Sequence, residues 1–145
     1  MPAEQPRIRK VTLDIGFDYD FILLGVVSLE KFHRLVWQIN QHSGYNFYHA
    51  GELDLYEQEK RIGSFTKYVF NDEMNHLEIL LLENKDESTY LIPEMRTVDY
   101  FMLIKGALDN VDVKAFIQNL KPVDNIQLIT EIDTQKLKSR QNLIF

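Results

Sequence analysis

The sequence predicts an α+β domain: a single antiparallel β-sheet of about five or six strands, with two main helices, at 29–42 and 111–121, packed on it. Three observations carry that expectation. Strand-like runs follow one another between Ser64 and Lys105 with only short polar turns between them, as in a meander. Two segments repeat apolar residues at helical spacing: Phe32, Leu35, Val36 and Ile39, then Val113, Phe116, Ile117 and Leu120. The unbroken run Ile79-Leu80-Leu81-Leu82 would point to both faces of a strand, which places that strand centrally, covered on each side.

In chain order, residues 1–9 contain prolines and polar groups and are expected to be flexible. Val11, Leu13 and Ile15 alternate with polar residues as a short strand. Phe21 to Val27 reads either as a buried strand or as the lead-in to a helix, and its paired valines and Gly25 favour the strand. Ser28 is a candidate N-cap for the first helix, with Glu30 in its first turn, and Gly44 is placed to end it. Tyr45 to His49 forms an aromatic loop, 52–56 a weak strand with one wet face, and 64–70 and 76–83 two further strands. A turn at 84–88 leads to strands at 89–92 and 98–105. Asp109 or Asn110 can cap the second helix, Pro122 ends it, and 126–132 alternates as a last strand.

A length of 145 residues suits one domain, 1–145, and hydrophobic and aromatic contents of 45% and 12% fit a packed core rather than disorder. The net charge of −6 repels phosphate backbones, so no nucleic-acid partner is expected. The absence of cysteine removes disulfides, thiol nucleophiles and thiolate metal sites together, and fits a cytoplasmic protein. No apolar run approaches the roughly 18–20 residues of a membrane helix, and none is placed as a signal peptide. The expectation is a soluble protein with no membrane partner.

The stretch that organises the rest is Leu91 to Gly106. Pro93 fixes its own φ and holds Ile92 extended, so the chain arrives as a strand, turns at Pro93-Glu94 and leaves through Val98, Tyr100, Met102 and Ile104. Glu94, Arg96 and Asp99 gather three charges on that turn. Together with Pro93, Tyr100 and Lys105 they form the candidate functional loop: Glu94 or Asp99 could act as a base and Arg96 or Lys105 could hold an anion. A structural reading stands beside it, in which the carboxylates accept loop N–H bonds and pair with Arg96 or Lys105. It is favoured, because no histidine, nucleophile or cofactor motif joins the cluster.

Ile92-Pro93-Glu94, three residues, then Val98-Asp99-Tyr100 resembles the signature of the IPExxxVDY family, small bacterial proteins with no assigned activity. The resemblance extends through Phe17 to Phe21, Ile104-Lys105-Gly106, Leu137-Lys138-Ser139 and Asn142 to Phe145. It implies a bacterial source and gene neighbours for ribonuclease III, fatty-acid synthesis and pyruvate kinase. No mechanism follows from it, and an RNA-associated role is opposed by the −6 charge.

Other constellations are weaker. His33, His42, His49 and His76 lack the spacing of a zinc site, and surface histidines are the simpler reading. Asp14, Asp18 and Asp20 lack the glycine and terminal glutamate of a calcium loop. No glycine-rich phosphate cradle or nucleophile elbow is present, so no cofactor and no metal are expected. Tyr45, Phe47, Tyr48 and Trp37 read as core before they read as a partner surface. Leu143-Ile144-Phe145 is expected to dock on its own domain or on a second copy. The function expected is therefore a non-catalytic protein-interaction or structural domain, with a protein partner or itself, as a homodimer, on its free sheet edges. The alternative is a small enzyme or ligand-binding protein using the Glu94/Arg96/Asp99 loop.

Overall fold

Side chains alternate across a strand, so a strand that is apolar at every position must have cover on both sides. The computed structural model, which describes residues 20–87 and 89–145, meets that demand with three layers. The elements are β1 (Ile22–Val27), α1 (Phe32–Ser43), β2 (Tyr48–Glu57), β3 (Lys60–Asp72), β4 (Leu77–Glu83), β5 (Tyr100–Gly106), α2 (Val113–Leu120) and β6 (Leu128–Ile132). They build one six-stranded antiparallel sheet in the order β2-β3-β4-β5-β1-β6. The α+β class and the single antiparallel sheet are as the sequence predicts.

Leu24 and Val26 of β1, Ile79 and Leu81 of β4, and Met102 and Ile104 of β5 face the helices, where they meet Phe32, Leu35, Val36 and Ile39 of α1 and Leu120 of α2. The alternate residues, Leu23, Leu80, Leu82, Phe101 and Leu103, face the other way with Phe65 of β3. Among the described residues no α-helix covers that second face. Leu91, Ile92 and Val98 of the connection between β4 and β5 cover it, with Leu137 and Leu143 of the tail. The tail expectation holds for Leu143, which is fully buried, while Phe145 stays 45% exposed.

Several expectations need correction. Residues 89–92 do not join the sheet, and only an isolated bridge, Lys85 with Tyr90, marks that stretch. The backbone there bonds elsewhere: Leu91 N–H donates to the Asn84 carbonyl, and Ile92 N–H to the Asn84 side chain. The first helix starts at Phe32 rather than 29, with Lys31 at its N-cap and no side-chain cap. Ser28 Oγ instead accepts from Glu30 N–H, closing a tight turn before the helix. The second helix is capped by Asp112, whose carboxylate accepts from Ala115 N–H, and not by Asp109 or Asn110.

The strands at 52–56 and 64–70 extend to 48–57 and 60–72. They form a long hairpin whose turn places Gln58 and Glu59 at φ 52° and 68°. Among the described residues the sheet edges are therefore β2 and β6. The expected strand at 11–15, the flexible segment 1–9, and Asp14 and Asp18 lie outside the described residues. The aromatic group divides. Tyr45 and Phe47 pack with Phe70 inside, and Trp37 and Tyr48 are exposed.

Gly106 ends β5 at φ 116°, where a Cβ would collide with the His76 carbonyl oxygen. Gly106→Ala is thus expected to cost about 2–4 kcal/mol, combining backbone strain with a clash against main chain that cannot yield. Urea unfolding of the variant beside the wild type measures it. A loss under about 1 kcal/mol would show that this corner relaxes freely.

Candidate functional site

The loop between β4 and β5 is built around a residue that the sequence leaves among ordinary turn formers. Asn84 follows the apolar core of β4 by one residue and is completely buried. Its Oδ1 accepts from Ile92 N–H at 2.8 Å, and its Nδ2 donates to the carbonyls of Met95 and Val98, both at 2.9 Å. Its backbone N–H donates to Asp99 O, and its carbonyl accepts from Leu91 N–H. One side chain therefore bonds three backbone groups of the connection, which regular structure would otherwise have to pair. The only sequence signal is a small amide directly after a buried strand.

Pro93 opens a single 3₁₀ turn, Pro93–Met95, with Ile92 extended before it. That turn aims Glu94 at the tail. The Glu94 carboxylate accepts from Ser139 N–H at 2.7 Å and from Ser139 Oγ at 2.9 Å. Partial burial raises its pKa, but the hydrogen bonds from Ser139, from Lys138 and from its own backbone outweigh this and hold it below the ordinary carboxylate value. Asn142 adds a second clasp by donating to Leu91 O at 2.8 Å. The partners Ser139 and Asn142 stand 45 and 51 residues from the groups they hold, so spacing could not have paired them.

The other half of the motif works on the opposite side of the sheet. Asp99 accepts from Ser28 N–H at 2.8 Å. Tyr100 donates its hydroxyl to Glu30 O at 2.6 Å and stacks on Phe32, with ring centroids 4.6 Å apart. Both groups fix the turn that launches α1. Burial foremost, then the charges of Asp99, Glu83 and Glu30, push the Tyr100 hydroxyl up to about 12. It is a fixed donor near neutrality, remote from the pKa that general acid–base catalysis requires. Val98, the first residue of this half, packs against Gly25, where a Cβ would lie 3.2 Å from the valine and 2.7 Å from Ile132.

Arg96 and Lys105 do not pair with these carboxylates. The Arg96 guanidinium lies 5.4 Å from the Tyr90 ring centroid, and Lys85 Nζ lies 5.8 Å from the same ring. Lys105 sits near the far end of β5, roughly 17 Å along the strand from Tyr100 at about 3.3 Å per residue. There its Nζ is 4.7 Å from the Phe145 ring. Of the six candidate residues, Pro93 and Arg96 share one cleft, while Glu94, Asp99, Tyr100 and Lys105 are committed separately. That cleft, about 500 Å³, is also lined by Leu55 and Ile62 of the β2–β3 hairpin, Tyr90, and Asn142 of the tail. Among the described residues Arg96 has no carboxylate partner, and no group of three His, Asp or Glu side chains could hold a metal ion.

No protein-family model, no curated protein and no solved structure matches the chain. Among the described residues no helix is long and apolar enough to cross a membrane.

The Glu94 clasp makes a pH prediction. Its pKa is lowered in the folded chain, so its stabilisation is present above the ordinary carboxylate value and disappears as pH falls through the lowered one. The stability difference between wild type and Glu94→Gln should therefore be largest at neutral pH and shrink at pH about 3. Urea unfolding at both pH values tests this, and a constant difference would deny the carboxylate a role in holding the tail.

Proposed function

We propose that the chain is a non-catalytic protein-interaction or structural domain of the bacterial cytoplasm. The observation that carries this reading is the fate of the motif's polar groups. Glu94 spends its hydrogen-bonding capacity on Ser139 of the tail, and Asp99 and Tyr100 spend theirs on the turn at 28–30, so the two carboxylates are committed to separate parts of the fold. A general acid–base site needs the opposite, with groups gathered around one reacting atom. The bacterial and cytoplasmic parts of the proposal rest on the resemblance to the IPExxxVDY family and on the absence of cysteine. Surface for a partner exists: Trp37 and Tyr56 are 61% and 60% exposed, and aromatic residues of this kind dominate interface energies. A second copy is one admissible partner, through β2 or β6, the edge strands among the described residues.

The test is incubation of the immobilised chain with a bacterial extract, identifying retained proteins and following small metabolites over time. The same retained protein in replicate captures, with no metabolite consumed, supports the reading. Consumption of a metabolite that Glu94→Gln or Asp99→Asn abolishes while the variant remains folded at the assay temperature would overturn it. One observation favours a second reading, a small-ligand-binding protein: Pro93 and Arg96 do line a cleft.

A further inference from the structure

We infer that the cleft between the β2–β3 hairpin, the 89–96 loop and the tail receives an acidic segment of a partner protein, with one carboxylate seated on Arg96. The inference rests on the binding-domain reading and names where the partner docks and by what chemistry.

Arg96 is an exposed guanidinium in a chain of net charge −6, yet among the described residues no carboxylate neutralises it. Arg34 and Arg61, by contrast, lie 3.4 Å from Glu30 and 3.9 Å from Asp54. The nearest acid of the motif, Glu94, is occupied by Ser139. Tyr90 carries Arg96 and Lys85 near its ring, so two cations converge on one aromatic side chain. A planar guanidinium held near an aromatic ring keeps its N–H fork available, and that fork fits the two oxygens of a carboxylate.

The remaining lining decides what carries the carboxylate. Leu55 and Ile62 offer apolar surface, and Asn142 offers an amide oxygen that none of the described hydrogen bonds uses. An apolar side chain and a backbone N–H answer those groups, and a peptide supplies both beside its acid. Small-molecule pockets enclose most of their ligand. Here Arg96, Glu57 and Gln141 are all exposed and Tyr56 is 60% so, which suits an extended segment lying across the cleft. Glu57, lining the same cleft from the hairpin end, repels a second acid there, so the segment is expected to carry a single carboxylate next to apolar residues rather than a polyacidic run.

The test uses defined probes: the blocked tetrapeptide Leu-Phe-Gly-Asp, its asparagine counterpart, and benzoate as a carboxylate without a peptide. NMR titration at millimolar concentration follows the Arg96 side-chain N–H and the Tyr90 ring. The expected result is saturable shifts at both with the aspartate peptide, about tenfold weaker binding for the asparagine peptide, and about tenfold weaker binding to Arg96→Gln. Arg96→Lys should fall between, keeping the charge but losing the fork. Arg96 makes no hydrogen bond within the described fold, so these variants should melt within a few degrees of the wild type.

Absence of saturable shifts, or equal binding by Arg96→Gln, would overturn the inference. So would benzoate binding as tightly as the peptide, which would make this a small-molecule site. A protein captured from extract equally by wild type and Arg96→Gln would remove this cleft as the docking site and leave the binding-domain reading standing. Arg96-dependent peptide binding alongside an extract that yields no partner would do the reverse.

Discussion

Asn84→Ala is expected to destabilise the chain by about 3–5 kcal/mol and to lower its melting temperature by roughly 10–15 °C. The alanine leaves Ile92 N–H and the Val98 carbonyl without their partner in the buried interior of the loop, while the part-buried Met95 carbonyl keeps the Val98 N–H. A buried donor or acceptor left unsatisfied costs about 1–3 kcal/mol, and two are created at once. Asn84→Asp sharpens the test. The acid can still accept from Ile92 N–H, but it faces two carbonyls with no proton to offer, so burial and repulsion should raise its pKa. With the folded value raised, the folded state binds more protons than the unfolded one, and stability falls as pH rises. Urea unfolding at pH 5 and at pH 8 should show Asn84→Asp closer to wild type at the lower value. A loss below about 1 kcal/mol for the alanine variant would mean that the loop finds other partners.

Removing residues 143–145 is expected to cost about 4 kcal/mol, mostly through Leu143. That side chain is fully buried against the face of the sheet that no α-helix covers among the described residues, with Ile144 packed beside it. Deletion also removes the Ile144 N–H to Gln141 O bond that closes the last turn. Phe145 adds less, because it is 45% exposed and touches mainly the ends of Lys67 and Lys105. Differential scanning calorimetry should show a fall of more than about 10 °C for the truncation and a smaller one for Leu143→Ala. An unchanged transition would mean that the tail is bound elsewhere in solution.

Period made much of this architecture legible. The two helical stripes and the doubly apolar β4 were visible because burial on a regular element leaves a repeat in the sequence. The 89–92 stretch shows where that stops: its residues would alternate alike in a strand or in an extended loop. What separates the two is the destination of each N–H, and here Asn84 takes both. The β2–β3 hairpin was under-measured because its turn uses Gln58 and Glu59 at positive φ, where glycine or asparagine would have announced it. At the site, loop-capping carboxylates were foreseeable from residue type. Their separation onto two faces of the sheet, one on Ser139 and one on Ser28, depends on contacts far apart in the chain.

The strand order has a consequence for how the chain is made. β1 leaves the ribosome before every other described element, and its Ile-Leu-Leu-Gly-Val-Val stretch is buried on both faces in the finished sheet. Its neighbours are β5 and β6, which begin at Tyr100 and end at Ile132. At roughly 5–20 residues per second, translation leaves this uncharged β-prone hexapeptide without its partners for on the order of ten seconds. The β2–β3–β4 meander can close on itself in that interval, since each strand finds its neighbour next in line. Synthesis therefore passes through a nascent state with a finished three-stranded half and an unpaired apolar ribbon. That ribbon is the segment from which aggregation would start.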